Sequence, residues 1–346
     1  QVRGEVVLEG VICGGRSAPM ISCQRFVDLH AMSRLGNLPA VWANELLGTI
    51  LGWISLKGHE MPSFGLIALS LSCLYLGGCF LNDWYDAAYD AENRDDRPIP
   101  SGRWKRGTIG TLAFSLLIGG LALGFLVATT FTVFAAGIVS CILAYTRWHK
   151  VHPISFLFMA GARALIYPAC AFSFLTWQQF ITLDPQLYLS LVLLALSLGS
   201  YILGISLMAR NESAPSPTSA QKIVPVIFLS VPALFTSGVM LLLVQAPALP
   251  ALILFLAVLS FCVKKVRLTK NIGQFVSRTL AAIPLVDYLV IGPVAIVAAL
   301  EGNMAFAPLL VIGLGPVSYS HPTLPTIHSV YLSVVAVSVK KKKLNL

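Results

Sequence analysis

Nine apolar runs, each close to the length of a membrane-crossing helix, set the terms on which this chain can fold. They cover 38–56, 64–81, 109–129, 131–146, 154–176, 187–208, 223–244, 247–263 and 280–300, and short charged segments separate them. A hydrocarbon core about 30 Å thick is crossed by about 20 helical residues. Inside it, a backbone must satisfy its own hydrogen bonds. The expected fold class is therefore all-α, a polytopic transmembrane helical bundle of about nine spans. A further apolar stretch, 304–319, is interrupted by Gly313, Gly315 and Pro316 and is weaker.

The composition agrees. Only 11% of residues are charged and 56% are hydrophobic, against about 25% charged in soluble domains. The formal net charge of +9 does not point to nucleic acid, because the basic residues cluster beside apolar runs, where orientation signals belong. With the N-terminus inside, segments 1–37, 82–107, 145–153, 209–222 and 264–278 carry 18 of the 24 Lys and Arg residues. The opposite loops carry Lys57 alone. Such asymmetry predicts a cytoplasmic N-terminus and a cytoplasmic acidic loop. The seven cysteines show no CxxC pair and the six histidines no HExxH, so neither suggests a disulfide framework or a zinc site. Residues 1–31 lack the features of a signal peptide and read as an N-terminal extension. Residues 32–302 form the membrane domain and 303–346 a tail.

Six of the fifteen acidic residues fall between 83 and 96. If the second span continues as a helix, Asp83, Asp86 and Asp90 stand at i, i+3 and i+7 on one face. Three stacked carboxylates repel one another unless a cation sits among them, and Mg²⁺ takes hard oxygen ligands shared with substrate phosphates. Arg94, Arg97, Arg103, Lys105 and Arg106 follow closely. Acids that hold a metal beside bases that clamp phosphate make a diphosphate site. A solvated loop of mixed charge would account for the arginines, but not for helically spaced aspartates at the lipid–water boundary, where charge is costly.

The segment Asn82-Asp83-Trp84-Tyr85-Asp86-Ala87-Ala88-Tyr89-Asp90, followed by Arg97-Pro98-Ile99-Pro100-Ser101-Gly102, resembles the NDxxDxxxD signature of the UbiA superfamily of intramembrane prenyltransferases. Arg34-Leu35-Gly36-Asn37-Leu38-Pro39 before the first span, and Tyr145 with Lys150 after the fourth, are similar to that family as well. The resemblance implies a central cavity open to lipid, a prenyl diphosphate donor, an acceptor of unknown identity, and magnesium-assisted departure of diphosphate. It places Asp83, Asp86 and Asp90 as metal-binding catalytic residues, with Asn82, Arg94, Arg97 and Lys150 toward the substrate. The family's second acidic motif is replaced by Met208-Ala209-Arg210-Asn211-Glu212-Ser213. There only Asn211 and Glu212 could contribute ligands, Glu212 being the candidate metal ligand, and Arg210 is a candidate to neutralise diphosphate. This pattern, with 145–150 and Met159–Arg163, resembles a divergent EboC-like branch.

Arg163 and Asp287 are charges expected at membrane depth, where an ionisable residue implies a partner or a function. They either pair with each other or line the acceptor pocket. Asn44, in the first span, either faces the cavity or bonds a neighbouring helix. The leading function is prenyl transfer. The alternative is a non-catalytic protein of the same fold that binds or transports a lipid or pathway intermediate.

Overall fold

A computed structural model of the chain describes residues 20–56, 63–183, 185–210, 218–269 and 272–301. The expected tail at 303–346, most of the expected N-terminal extension, and both Asn211 and Glu212 lie outside the described residues. What is described is helical, with no strand.

The helices are α1 (Met20–Ser33), α2 (Leu38–Ser55), α3 (Phe64–Asn93), α4 (Arg106–Val127), α5 (Thr129–Trp148), α6 (Phe156–Ala164), α7 (Ile166–Ala171), α8 (Trp177–Ile181), α9 (Pro185–Arg210), α10 (Ser219–Val244), α11 (Leu249–Thr269), α12 (Ile272–Ala281) and α13 (Ile283–Leu300). Among the described residues, 7 helical stretches are long and apolar enough to cross a membrane. The 18-residue α2 and the shorter apolar stretch Phe156–Ala171 occupy the places of the first and fifth expected spans.

Three departures from the sequence reading have clear physical causes. The run 154–176 is not one helix: α6 ends at Ala164 and α7 begins at Ile166. Pro168 has no N–H to offer the carbonyl of Ala164, and its ring crowds that carbonyl. The run 280–300 is likewise divided at Ala282, with Pro284 in the first turn of α13. Segment 264–278, expected as a loop, is largely helical, shared between α11 and α12. Lys and Arg are good helix formers, so a cluster of them moves a helix out of lipid without ending it.

Two large apolar cores, with a smaller third around Leu56, Phe172, Leu175 and Leu191, build the bundle. One joins α2 and α7 to α9, α10, α11 and α13 through Leu47, Tyr167, Leu198, Leu229, Phe255 and Val286. The other holds α1 to α5 together through Ile67, Leu74, Ile109, Leu117, Phe131 and Ile138. The crossing of α2 on α7 is unusually close. A Cβ on Gly52 would lie 2.2 Å from the Ala171 carbonyl oxygen, and one on Gly48 2.9 Å from that of Tyr167. Only glycine admits this approach, the general device of packed membrane helices, and it brings Asn44 against α6 and α7.

Candidate functional site

At 30 residues, α3 is about 45 Å long, more than a hydrocarbon core requires. Its last three turns therefore project beyond the apolar layer and carry Asp83, Asp86 and Asp90. The three carboxylates share one face as their spacing predicts, and all three are buried.

Each carboxylate has a cation. Arg97 reaches back over the helix and places Nη1 3.3 Å from Asp83 Oδ1 and 3.1 Å from Asp90 Oδ2. Arg34 Nη2 stands 3.7 Å from Asp83. Just past the end of α5, Lys150 Nζ lies 2.6 Å from Asp86 Oδ1. His149 Nε2 is 3.4 Å from the other oxygen, and its Nδ1 faces the Thr146 carbonyl at 3.1 Å. Burial works against charge on this imidazole, but the hydrogen bond and negative charge of Asp86 outweigh it, so the His149 pKa is raised above its ordinary value. Asn82 Nδ2 donates to Asp86 Oδ2 at 3.3 Å.

Arg34 is held in place by strain and by a bond. Its backbone is left-handed, φ 50° and ψ 41°, a region non-glycine residues seldom occupy. The Tyr75 hydroxyl donates to its carbonyl at 3.0 Å.

Next to this cluster lies a cavity of about 650 Å³. Arg34, Asn82, His149 and Lys150, which contact the aspartates, contribute polar lining, as do Arg163 and Arg210; Leu71, Leu74, Ile138, Ile142, Ile202 and Ile283 contribute apolar walls. No Asp or Glu is among the described residues that line it.

The oxygen donors fit Mg²⁺. Asn82 Oδ1 is buried without a hydrogen-bond partner, on a side chain whose Nδ2 reaches the Asp86 carboxylate, and amide and carboxylate oxygens are the hard ligands this ion takes. Among the described residues no three His, Cys, Asp or Glu side chains converge closely enough to cage a metal by themselves. That suits an ion that normally completes its shell with water and substrate phosphate.

Other expected site residues are placed less uniformly. Arg94 caps the end of α3 and is exposed, away from the cavity lining. Arg210 lines the cavity, its guanidinium 5.7 Å from the Phe156 ring. Arg163 also lines it, whereas Asn44 sits behind Arg163, fully buried. Arg163 and Asp287 are not in direct contact. Arg163 Nη1 donates to Asn44 Oδ1 at 3.0 Å, and Asn44 Nδ2 donates to both Asp287 oxygens at 3.0 and 2.8 Å. The Tyr167 hydroxyl also donates to Asp287. His149 and Tyr167 belong to these clusters and were not singled out from sequence; Arg34 was named there only as the start of a family-like segment, without a role in the site. His149 had a readable signal, its place directly before Lys150; Tyr167 had none.

The fold and site together define a polytopic membrane protein with a buried, cation-braced carboxylate face opening on a mostly apolar cavity. The family model described as "UbiA prenyltransferase family" matches residues 38–274. The chain belongs to that family. It is 35% identical over 111 residues to digeranylgeranylglyceryl phosphate synthase of Ignicoccus hospitalis, covering 31% of this chain and 36% of the relative. It is 30% identical over 175 residues to protoheme IX farnesyltransferase of a Picosynechococcus species, covering 47% and 51%. The chain thus spans about a third to a half of the length of these curated relatives. Among solved structures, a UbiA homologue from Aeropyrum pernix K1 superposes with a TM-score of 0.56 at 14% identity, over 74% of this chain and 96% of the other; at that identity the likeness speaks for the fold.

Proposed function

We propose that this protein is a membrane prenyltransferase that moves a prenyl group from an isoprenoid diphosphate to a nucleophilic acceptor. The observation that carries this reading is that Arg34, His149 and Lys150, the cations paired with Asp83 and Asp86, also line a cavity whose walls are mostly apolar. The polar lining suits a diphosphate and the walls suit a prenyl tail.

In the reaction the allylic C1–O bond breaks and its electron pair leaves with the diphosphate. A bond then forms between C1 and the acceptor, which gives up a proton. Asp83, Asp86 and Asn82 would hold Mg²⁺, which when bound would supply Lewis-acid neutralisation of the leaving group's charge. Lys150, His149 and Arg34 stand ready to stabilise the same charge from fixed positions, the preorganisation that lowers such barriers most. Arg97 holds Asp83 and Asp90 against their mutual repulsion. Leu71, Leu74 and Ile138 keep water from an allylic cation. Arg210, where relatives of the expected pattern carry acids, adds positive charge to the cavity lining.

A second reading, binding or transport without turnover, draws support from Arg210: an arginine cannot ligate a cation, so a second metal site there has lost a ligand. The basic segments argue for a cytoplasmic aspartate face. The test is turnover in membranes carrying the full chain, supplied with labelled farnesyl or geranylgeranyl diphosphate and a panel of aromatic, tetrapyrrole and glycerol-lipid acceptors. Mg²⁺-dependent transfer to any acceptor supports the enzyme. Mg²⁺-dependent binding without transfer across the panel supports the carrier.

A further inference from the structure

Lys105 and Arg106, two of the bases that follow the aspartates, do not line the central cavity. They open α4 beside a separate groove of about 430 Å³ between α3 and α4. Trp84, Gly110, Phe114 and Ile118 give this groove apolar walls, and Thr111 and Ser115 contribute hydroxyls. Phe114 and Ile118 are exposed at 42% and 66%, so the groove faces outward, toward lipid. Its shape is set by close packing. A Cβ on Gly110 would lie 2.6 Å from the Trp84 indole nitrogen, whereas one on Gly107, which also lines the groove, would meet nothing within 4 Å. Phe114 holds the Trp84 ring edge-on, with centroids 5.8 Å apart. The Arg106 guanidinium stands 5.2 Å from the centre of that ring, and its Nε donates to the Trp84 carbonyl at 3.1 Å. Its two terminal nitrogens are left to a ligand. Arg103 nearby is paired with Asp28 at 2.9 Å. Among the described residues, neither Lys105 nor Arg106 has a carboxylate within ion-pair distance.

We infer that this groove holds one anionic phospholipid, with its phosphate on Lys105 and Arg106 and an acyl chain along Trp84, Phe114 and Ile118. The site is separate from the central cavity and independent of the prenyl-transfer reading. Depth, length and charge carry it. Trp84 follows the last apolar turn of α3 directly, at the headgroup level that tryptophan favours. From Arg106 to Ile118 is twelve helical residues, about 18 Å, close to the depth of one leaflet, with about 15 Å of hydrocarbon beneath a headgroup. Thr111 lies about 7.5 Å below Arg106, where the ester carbonyls of a lipid can accept from its hydroxyl. The guanidinium fork matches two phosphate oxygens, and basic residues at the membrane surface draw anionic lipid. A second copy of the chain is the competing occupant, because Gly107, Thr111 and Ser115 make a small-residue stripe at every fourth position. Charge decides against it. A two-fold axis along the membrane normal would set Lys105 and Arg106 against their own copies, with no acid among the described residues lining the groove to offset them.

The test is native mass spectrometry of the full chain in detergent micelles, titrated with phosphatidylglycerol and phosphatidylcholine of identical acyl chains. The wild type should bind its first phosphatidylglycerol about tenfold or more tightly than phosphatidylcholine, the scale of two basic residues at a membrane surface. The double variant Lys105→Gln, Arg106→Gln should weaken phosphatidylglycerol about tenfold and leave phosphatidylcholine within about threefold. Gly107→Leu keeps both charges but fills the open groove, and should weaken both lipids. Phosphatidylglycerol binding unchanged in either variant, or no preference in the wild type, overturns the inference. Glycerol phosphate, a headgroup without chains, should not displace the lipid; displacement would make this a site for free phosphate and overturn it too. Should the variants fail to fold, phosphatidylglycerol with a photoreactive diazirine on its acyl chain decides in the wild type. Labelling within residues 107–118 supports the site, and labelling confined to other segments refutes it. Efficient cross-linking of Ser115→Cys to its own copy, in a cysteine-free background in membranes, would give the groove to a second copy instead.

Discussion

Asn44→Leu removes the bridge between two charged side chains while keeping the same number of side-chain heavy atoms and the same branch point. Asn44 is fully buried and makes three hydrogen bonds, one accepted from Arg163 and two donated to Asp287. In the variant Arg163 loses its protein acceptor and Asp287 keeps Tyr167 alone. Hydrogen bonds to charged groups contribute about 1.5–3 kcal/mol each, though polar contacts between membrane helices average nearer about 0.6 kcal/mol. Two charged groups left behind in the bundle argue for the upper part of that range, and a loss of about 2–4 kcal/mol follows. Unfolding in mixed micelles of dodecyl sulfate, followed by circular dichroism, reads this directly. Asp287→Leu in the same assay completes a double-mutant cycle, whose coupling should exceed about 1 kcal/mol because the residues share one network. A loss below about 0.5 kcal/mol for Asn44→Leu, the size of an ordinary surface change, would refute the view of Arg163, Asn44 and Asp287 as one buried unit.

Gly52→Ala puts a Cβ 2.2 Å from the Ala171 carbonyl oxygen and should cost about 1–3 kcal/mol in the same unfolding assay, whereas Gly119→Ala, which meets nothing within 4 Å, should be neutral or slightly stabilising. A single cysteine at the exposed Asp95 position, in a cysteine-free background, should escape impermeant maleimide added outside sealed cells; labelling there would reverse the orientation. Arg210→Asp should make diphosphate affinity depend more steeply on Mg²⁺, because a second ion becomes necessary to offset the added charge. An unchanged Mg²⁺ series would mean that Arg210 does not face the diphosphate.

Much of this site was legible because its decisive signal is local. Asp83, Asp86 and Asp90 lie within three helical turns, so spacing alone places them on one face, and the bases that pair with two of them follow within the same segment as Arg97. Lys150, sixty-odd residues later, was found by resemblance. The Arg163–Asn44–Asp287 bridge was half legible: each residue declared itself as a polar group inside an apolar run. That Asn44 stands between the two charges depends on how α2, α6 and α13 pack, across separations of 119 and 243 residues. The glycines at 48 and 52 permit that packing, yet nothing in the sequence names α7 as their partner. Helix ends were read too literally from charge. Lys264, Lys265 and Arg267 continue α11, while Pro168, uncharged and inside an apolar run, coincides with a real break.

The most direct test of the account is the binding of labelled geranylgeranyl diphosphate to the purified chain in nanodiscs over a Mg²⁺ series, with Asp83→Ala and Asp86→Ala in parallel. On the proposed function each carboxylate would share a cation with the diphosphate, and a charge-assisted contact of about 1.5–3 kcal/mol corresponds to about ten- to a hundredfold in Kd. The account predicts Mg²⁺-dependent binding by the wild type, weakened by about that factor in both variants, which remain folded and inserted. Equal binding by wild type and both variants, or binding indifferent to Mg²⁺, would contradict it and place the diphosphate elsewhere.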